Sequence, residues 1–438
     1  MVLTDGLPAT LVRHPAPAPV ATVAEGAGAG VGATAGAVRG LPRVIPQLTG
    51  IRAVAALWVA MFHLRPYLLE TFPSSWVLTP LFNVGHLGVD LFFVLSGFIL
   101  TLTHLDRMVD GWGPRKVGGF LWLRLSRVWP VTVAMLIVYG LYRLIQTWIT
   151  ADGAYAASLD VRRFLMHVLL LQAWGTEHHD WNPIDWSISA EWMAYLAFGV
   201  VALGLARAAG VLRTRALVLL AVASLVPMVL VGLSMEDGSD LTWQGDQVAS
   251  GIVPLRVLSE FFAGAFVALV VQRLARAGRR VPLLLSPGVI LVAIVGTIYF
   301  LQRFDPVWRP RFGQEWNVNG HSLWGSTESV VVIPLFALLI GSLALSRGPV
   351  SRTLSTRLLV WGGKVSFAFY LVHWLFLDIM LFVIDQTAFA DAPMSTWRQV
   401  LIAGVLVCSV AAGWALYRFV EEPMRKGMRR MLPPSIKV

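Results

Sequence analysis

HLGVDLFFVLSGFILTLTHL, residues 86–105, is the stretch whose reading decides the fold. It carries one formal charge, Asp90, in an otherwise apolar or weakly polar run. A helix of about 20 apolar residues crosses roughly 30 Å of hydrocarbon. The run is continuous rather than alternating, so it reads as a membrane helix and not as a strand of a β-barrel.

Similar runs recur at about 48–65, 126–149, 186–206, 214–233, 254–273, 283–302, 327–346, 365–384 and 397–418. The expected fold is therefore all-α: a polytopic bundle of ten transmembrane helices. Composition agrees, because 56% of the 438 residues are hydrophobic and 14% charged, against about 25% charged in soluble domains. The run 164–174 is too short to cross. If it stays on one side, the basic clusters around Arg115, Arg213, Arg279, Arg352 and Arg425 share a side. The acidic loops holding Asp152, Asp160, Glu177, Asp240 and Asp391 share the other. This separation follows the positive-inside rule and puts both termini in the cytoplasm. The same clustering explains the net charge of +10 without nucleic acid as a partner. Residues 1–45, rich in Ala, Gly, Pro and Val, read as a disordered cytoplasmic tail. Residues 46–420 form the membrane domain and 421–438 a short basic cytoplasmic tail, with no soluble domain expected after the last span. The single cysteine, Cys408, supports neither an internal disulfide nor a metal site.

Ionisable residues inside spans are costly and mark function or a cavity. Arg52 and His63 lie eleven positions apart on the first span. That returns them to nearly one face, separated by roughly 16 Å along the axis. Snorkelling to opposite interfaces is the competing role. Asp90 and Glu191 begin helices that enter from the outer side, which predicts an outer cluster with His63. A carboxylate there would fix the imidazole's tautomer; for Asp90, stabilisation of a helix start is the alternative. His373 follows Ser366 and Tyr370 at helical spacing, either as a second catalytic group or as a structural histidine. Arg124 and Arg127, three apart, share a face and suit phosphate; simple inner anchoring suits them equally. Arg52, Arg124, Arg127 and Lys364 thus form an expected inner basic mouth. His63, Asp90, Glu191 and His373 form the expected acid–base cluster, with Trp186, Ser187 and Ser96 as acceptor-binding candidates. In the loop 303–326, Trp308, Trp316, Trp324 and His321 suit either sugar stacking or interfacial anchoring.

Five segments taken in order resemble the bacterial membrane acyltransferases of acyltransferase family 3. They are Leu48-Thr-Gly-Ile-Arg52 with His63, Gly88-Val-Asp-Leu-Phe-Phe-Val-Leu-Ser-Gly97, Arg124-Leu-Ser-Arg127, Trp186-Ser-Ile-Ser-Ala-Glu191, and Ser366…Tyr370…His373. The likeness runs over about 45–425. It implies a plasma-membrane enzyme that O-acylates surface sugars, glycolipids or glycosylated metabolites. It further implies acyl-CoA, usually acetyl-CoA, as co-substrate, with no permanently bound cofactor and no metal. His63 would be base or acyl carrier and Arg52 its essential partner. Any second step beyond the membrane would need a separate periplasmic or extracellular protein. A proton-coupled transporter or flippase is the rival function, since buried His, Asp and Glu also build proton relays.

Overall fold

A computed structural model describes residues 41–42, 44–175, 181–234, 252–279, 281–303, 327–386 and 396–433. Among these the secondary structure is helical, with no strand. The principal helices are α1 (Pro46–Thr71), α2 (Leu87–Val109), α3 (Pro114–Thr150), α4 (Val161–Val168), α5 (Trp186–Val211), α6 (Thr214–Ser234), α7 (Ile252–Arg276), α8 (Pro287–Arg303), α9 (Thr327–Leu345), α10 (Arg357–Asp385) and α11 (Thr396–Leu416). A π-helical turn, Tyr417–Glu421, then leads into α12 (Glu422–Arg430). Seven described helices are long and apolar enough to cross a membrane. The other three expected spans fall on shorter apolar stretches, Thr214–Leu230, Pro287–Leu301 and Val330–Leu345. The short run ends as the eight-residue α4, about 12 Å long and far too short to span. The tryptophans and His321 of loop 303–326 lie outside the described residues, as does most of the 1–45 tail. Within the expected short basic tail 421–438, residues 422–430 form a helix docked on α3 through Trp122 Nε1, which donates to the Met428 carbonyl at 2.8 Å.

Helices α2 and α7 form the centre. Both contribute to two apolar clusters, α2 through Phe93 and Leu100 on one side and Val94 and Phe98 on the other. Being apolar all round is what a helix enclosed by others requires. Gly97 and Gly264 set their spacing: a Cβ on either would overlap the Phe261 or Val94 carbonyl of the opposing helix. The outward surface keeps large apolar side chains exposed, including Trp148, Val200, Leu219, Val292 and Val407. Such a belt is unfavourable in water and fits lipid.

Candidate functional site

The site begins where α1 packs on α10. Gly363 lies so close to the Thr49 carbonyl that only a residue without Cβ fits, so the two helices touch backbone to backbone at this point. Further along, His63 Nδ1 meets His373 Nε2 at 2.9 Å, and His373 Nδ1 meets the Tyr370 carbonyl at 2.6 Å. The imidazole planes differ by 18° with centroids 5.1 Å apart, so the much closer nitrogens face one another edge to edge.

This geometry fixes the tautomers. A carbonyl only accepts, so His373 Nδ1 carries the proton and its Nε2 offers a lone pair. His63 Nδ1–H must then be the donor to His373. The lone pair of His63 is left on Nε2, the atom a general base uses. His373 is 3% exposed, and Trp374 packs edge-on against His63 at 4.9 Å. Tyr370 is fixed in turn: its hydroxyl donates to the Ile184 carbonyl at 2.8 Å and sits 3.0 Å from Ser187 Oγ. Ile184 lies in the segment before α5, which a buried His167–Asp185 contact of 2.8 Å ties to α4.

His63, His86, Trp186, Tyr370 and Arg256 line a cavity of about 30 Å³. That is room for a water or two, and a sugar would need the wall to open. Arg256 is buried, with Nη2 on Asp90 Oδ1 and Nε donating to Glu260 Oε1 at 3.1 Å. The guanidinium therefore reaches the cavity held between two carboxyl groups, both 0% exposed.

A second cluster surrounds Arg52. Its guanidinium lies over Phe92, 5.7 Å from the ring centre. It interacts electrostatically with Arg127, Glu191, Glu421 and Tyr195. Glu191 Oε1 accepts from Ser96 Oγ at 2.7 Å and is also hydrogen-bonded to Tyr195. Arg124 Nη2 donates to His104 Nε2 at 3.3 Å; His104 Nδ1–H donates to Thr103 Oγ1 at 2.6 Å, and that hydroxyl donates to the Ile99 carbonyl at 2.6 Å. A chain of oriented donors thus backs one arginine.

Several expectations are corrected. Neither Asp90 nor Glu191 orients His63; His373 does. Asp90 is lower than expected, because α2 descends α1 with Gly85 at Trp58 and Phe62, Gly88 at Ala55 and Val59, and Phe92 at Arg52. The level of His63 is therefore that of His86, about one turn above Asp90. Glu191 and Ser96 belong to the arginine cluster rather than to the histidine pair. Lys364 is exposed and shares no hydrogen bond or ion pair with that cluster. Ser187 braces Tyr370, and of the acceptor-binding candidates Trp186 is the one that lines the cavity. Arg256, Glu260, Tyr195, His104 and Glu421 are additions. The four-residue spacing of Arg256 and Glu260 within an apolar run was the readable signal for two of them.

Comparison with known proteins places these features in a family. The family model described as Acyltransferase domain, Acyl_transf_3, matches residues 45–418. The chain is 26% identical to "Acyltransferase MdmB" of Streptomyces mycarofaciens over 409 residues, 90% of this chain and 95% of that protein. It is 23% identical to "Putative peptidoglycan O-acetyltransferase YrhL" of Bacillus subtilis (strain 168) over 87% of this chain and 55% of the relative. A third match, "Putative O-acetyltransferase SACOL0978" of Staphylococcus aureus (strain COL), is 28% identical over 36% of this chain and 25% of the relative. No solved structure matches. The family match covers almost all of the helical bundle, including the histidine pair and Arg52, Arg124 and Arg127 but not Glu421, and the chain belongs to acyltransferase family 3; the relatives above are named as acyltransferases and O-acetyltransferases.

Proposed function

We propose that this membrane O-acyltransferase moves an acyl group, acetyl in the simplest case, from cytoplasmic acyl-CoA to a hydroxyl of a sugar, glycolipid or glycosylated metabolite at the outer face of the plasma membrane. In this reading the ten apolar helices all span, and both termini are cytoplasmic. The observation that carries the proposal is the division of α1. Arg52, at one level, sits among Arg124 and Arg127, and His63, roughly 16 Å further along the axis, presents Nε2 as a base. Arginine forks suit the phosphates of coenzyme A, and the thioester arm has the length to run between the two levels. A relative named for peptidoglycan O-acetylation supports a cell-wall sugar as acceptor.

In the direct route the acceptor hydroxyl gives its proton to His63 Nε2 while its oxygen attacks the thioester carbonyl. The C–S bond then breaks, and the imidazolium returns the proton to the leaving thiolate. His373 accepts from His63 Nδ1–H throughout and shares the positive charge that develops on the ring. Arg256 faces the same cavity and supplies a positive group near the developing oxyanion. In the covalent route His63 Nε2 attacks the thioester carbonyl and the C–S bond breaks to release the thiolate; the acceptor oxygen then attacks the acyl-imidazole carbonyl, its proton passes to the thiolate, and the C–N bond breaks to restore the imidazole.

The test is the melting temperature of detergent-purified protein with acetyl-CoA, longer acyl-CoAs and free coenzyme A. Wild type is compared with Arg52→Ala and His63→Ala. A ligand at about 100 times its Kd stabilises by roughly 2.7 kcal/mol. Stabilisation lost in Arg52→Ala and kept in His63→Ala is the expected result. Folded wild type that responds to no acyl-CoA would remove the donor assignment.

A further inference from the structure

The arginine cluster contains one carboxylate that is not anchored. Glu421 is 1% exposed, and both of its carboxylate oxygens are shielded without a hydrogen-bond partner. Its electrostatic neighbours are Arg127, Arg52 and Arg425. Nε of Arg52 and Nε of Arg124 are likewise buried and unpartnered. Leaving buried charged groups without hydrogen bonds is costly. Glu191, the other carboxylate of the cluster, contrasts with it: Ser96 and Tyr195 hold it in place. One acid is thus fixed by hydrogen bonds, and the other is held by charge alone.

The backbone at Glu421 is also unusual. Residues Tyr417–Glu421 form a π-turn between two α-helices, a rare winding that is frequent at functional sites. Pro423 follows two residues later. Having no N–H, it leaves the ladder short of one bond at this point. Beyond the turn, α12 is pinned to α3 by the Trp122–Met428 bond of 2.8 Å, and α3 carries Arg124 and Arg127. The π-turn is therefore where the winding changes between α12, tied to α3, and the membrane helix α11. Shifting one residue of winding rotates a side chain by about 100°, enough to carry the Glu421 carboxylate out of the cluster.

We propose that Glu421 is an internal competitor for the donor-phosphate site: its carboxylate neutralises the Arg52–Arg127–Arg425 cluster until the phosphates of the donor bind, and is then displaced by rewinding of the Tyr417–Glu421 turn. This rests on the acyl-CoA reading above. A phosphate brings several acceptor oxygens, which satisfy the arginine forks, and its negative charge repels Glu421. The exchange clears the donor site only when a donor is present to fill it.

Two measurements test this, both on the full chain in detergent with free coenzyme A and inorganic pyrophosphate as probes. The first is affinity. Glu421→Gln keeps size and removes charge, so removing the competing state should tighten coenzyme A binding by about tenfold. A fixed counter-ion would also tighten anion binding when removed, since the site becomes more positive, but only a displaced one changes the winding of 417–421 when the anion binds. The second is hydrogen exchange on wild type, which needs no variant to fold. Amides of 417–428 should change their protection when coenzyme A binds. Binding to wild type with equal or weaker binding to Glu421→Gln, or with unchanged exchange over 417–428, overturns the gate and leaves the donor site standing. If neither probe binds folded wild type, the donor site falls and the gate with it.

Discussion

At the residue scale, the proposed mechanism rests on which nitrogen of His63 is free. The Tyr370 carbonyl decides this through His373, since one acceptor at the end of the chain sets both tautomers. His63→Ala should lower kcat/KM by about 10² to 10⁴, the usual contribution of a positioned base. His373 acts through His63, so its replacement should separate by chemistry and not by size. His373→Gln, whose carbonyl can still accept from His63 Nδ1–H, should retain clearly more activity than His373→Phe. Both should bind donor like wild type. Equal losses in the two variants would reduce His373 to packing. The buried Arg256 offers a different test. Removing one partner of a buried charge cluster costs about 3–5 kcal/mol, because the others stay buried without it. Arg256→Met should therefore drop the melting temperature sharply, and adding Asp90→Leu should restore part of the loss. Residue types alone revealed His63, Arg52, Glu191 and Asp90 as misplaced in lipid. Their partners were not legible, since a one-dimensional pattern fixes depth along a helix to about a turn and says nothing of rotation toward a neighbour. A shift of about one turn was enough to send Asp90 to Arg256, and Glu191 lies deeper still, among the arginines.

At the element scale, close helix approach does the positioning. Gly97 and Gly264 let α2 and α7 touch backbone to backbone, and Gly363 does the same for α10 on α1. Enlarging such a position costs about 1–3 kcal/mol, or more when nothing can move. Gly363→Val is expected to push α10 away from α1 and so to part His373 from His63. The prediction is an enzyme that survives purification and binds coenzyme A but has lost most of its turnover. Gly97→Val acts at the centre of the bundle and should instead lower stability and yield, with any surviving protein active. A glycine inside an apolar run signals a close contact in the sequence; which helix it meets is settled only by the packing.

At the scale of the whole molecule, the apolar belt and the basic and acidic loops predict an orientation that can be measured. In a Cys408→Ser background, Ala151→Cys at the end of α3 should react with a membrane-impermeant maleimide in intact cells. Gly111→Cys, between α2 and α3, should react only after the cells are opened. The reverse pattern would invert the bundle and place the arginine cluster on the side without acyl-CoA. What the sequence by itself determined is the solvent, the helical class and the places where charge enters the bilayer. These depend on run length, composition and local charge, which are properties of a single segment. What only the tertiary structure decided is the pairing: His63 with His373, Asp90 with Arg256, and Glu191 with Ser96, while Glu421 lies turned into the arginines. Each of these joins helices far apart in the chain, and in a bundle the choice of neighbour is set by the shape of every other interface at once.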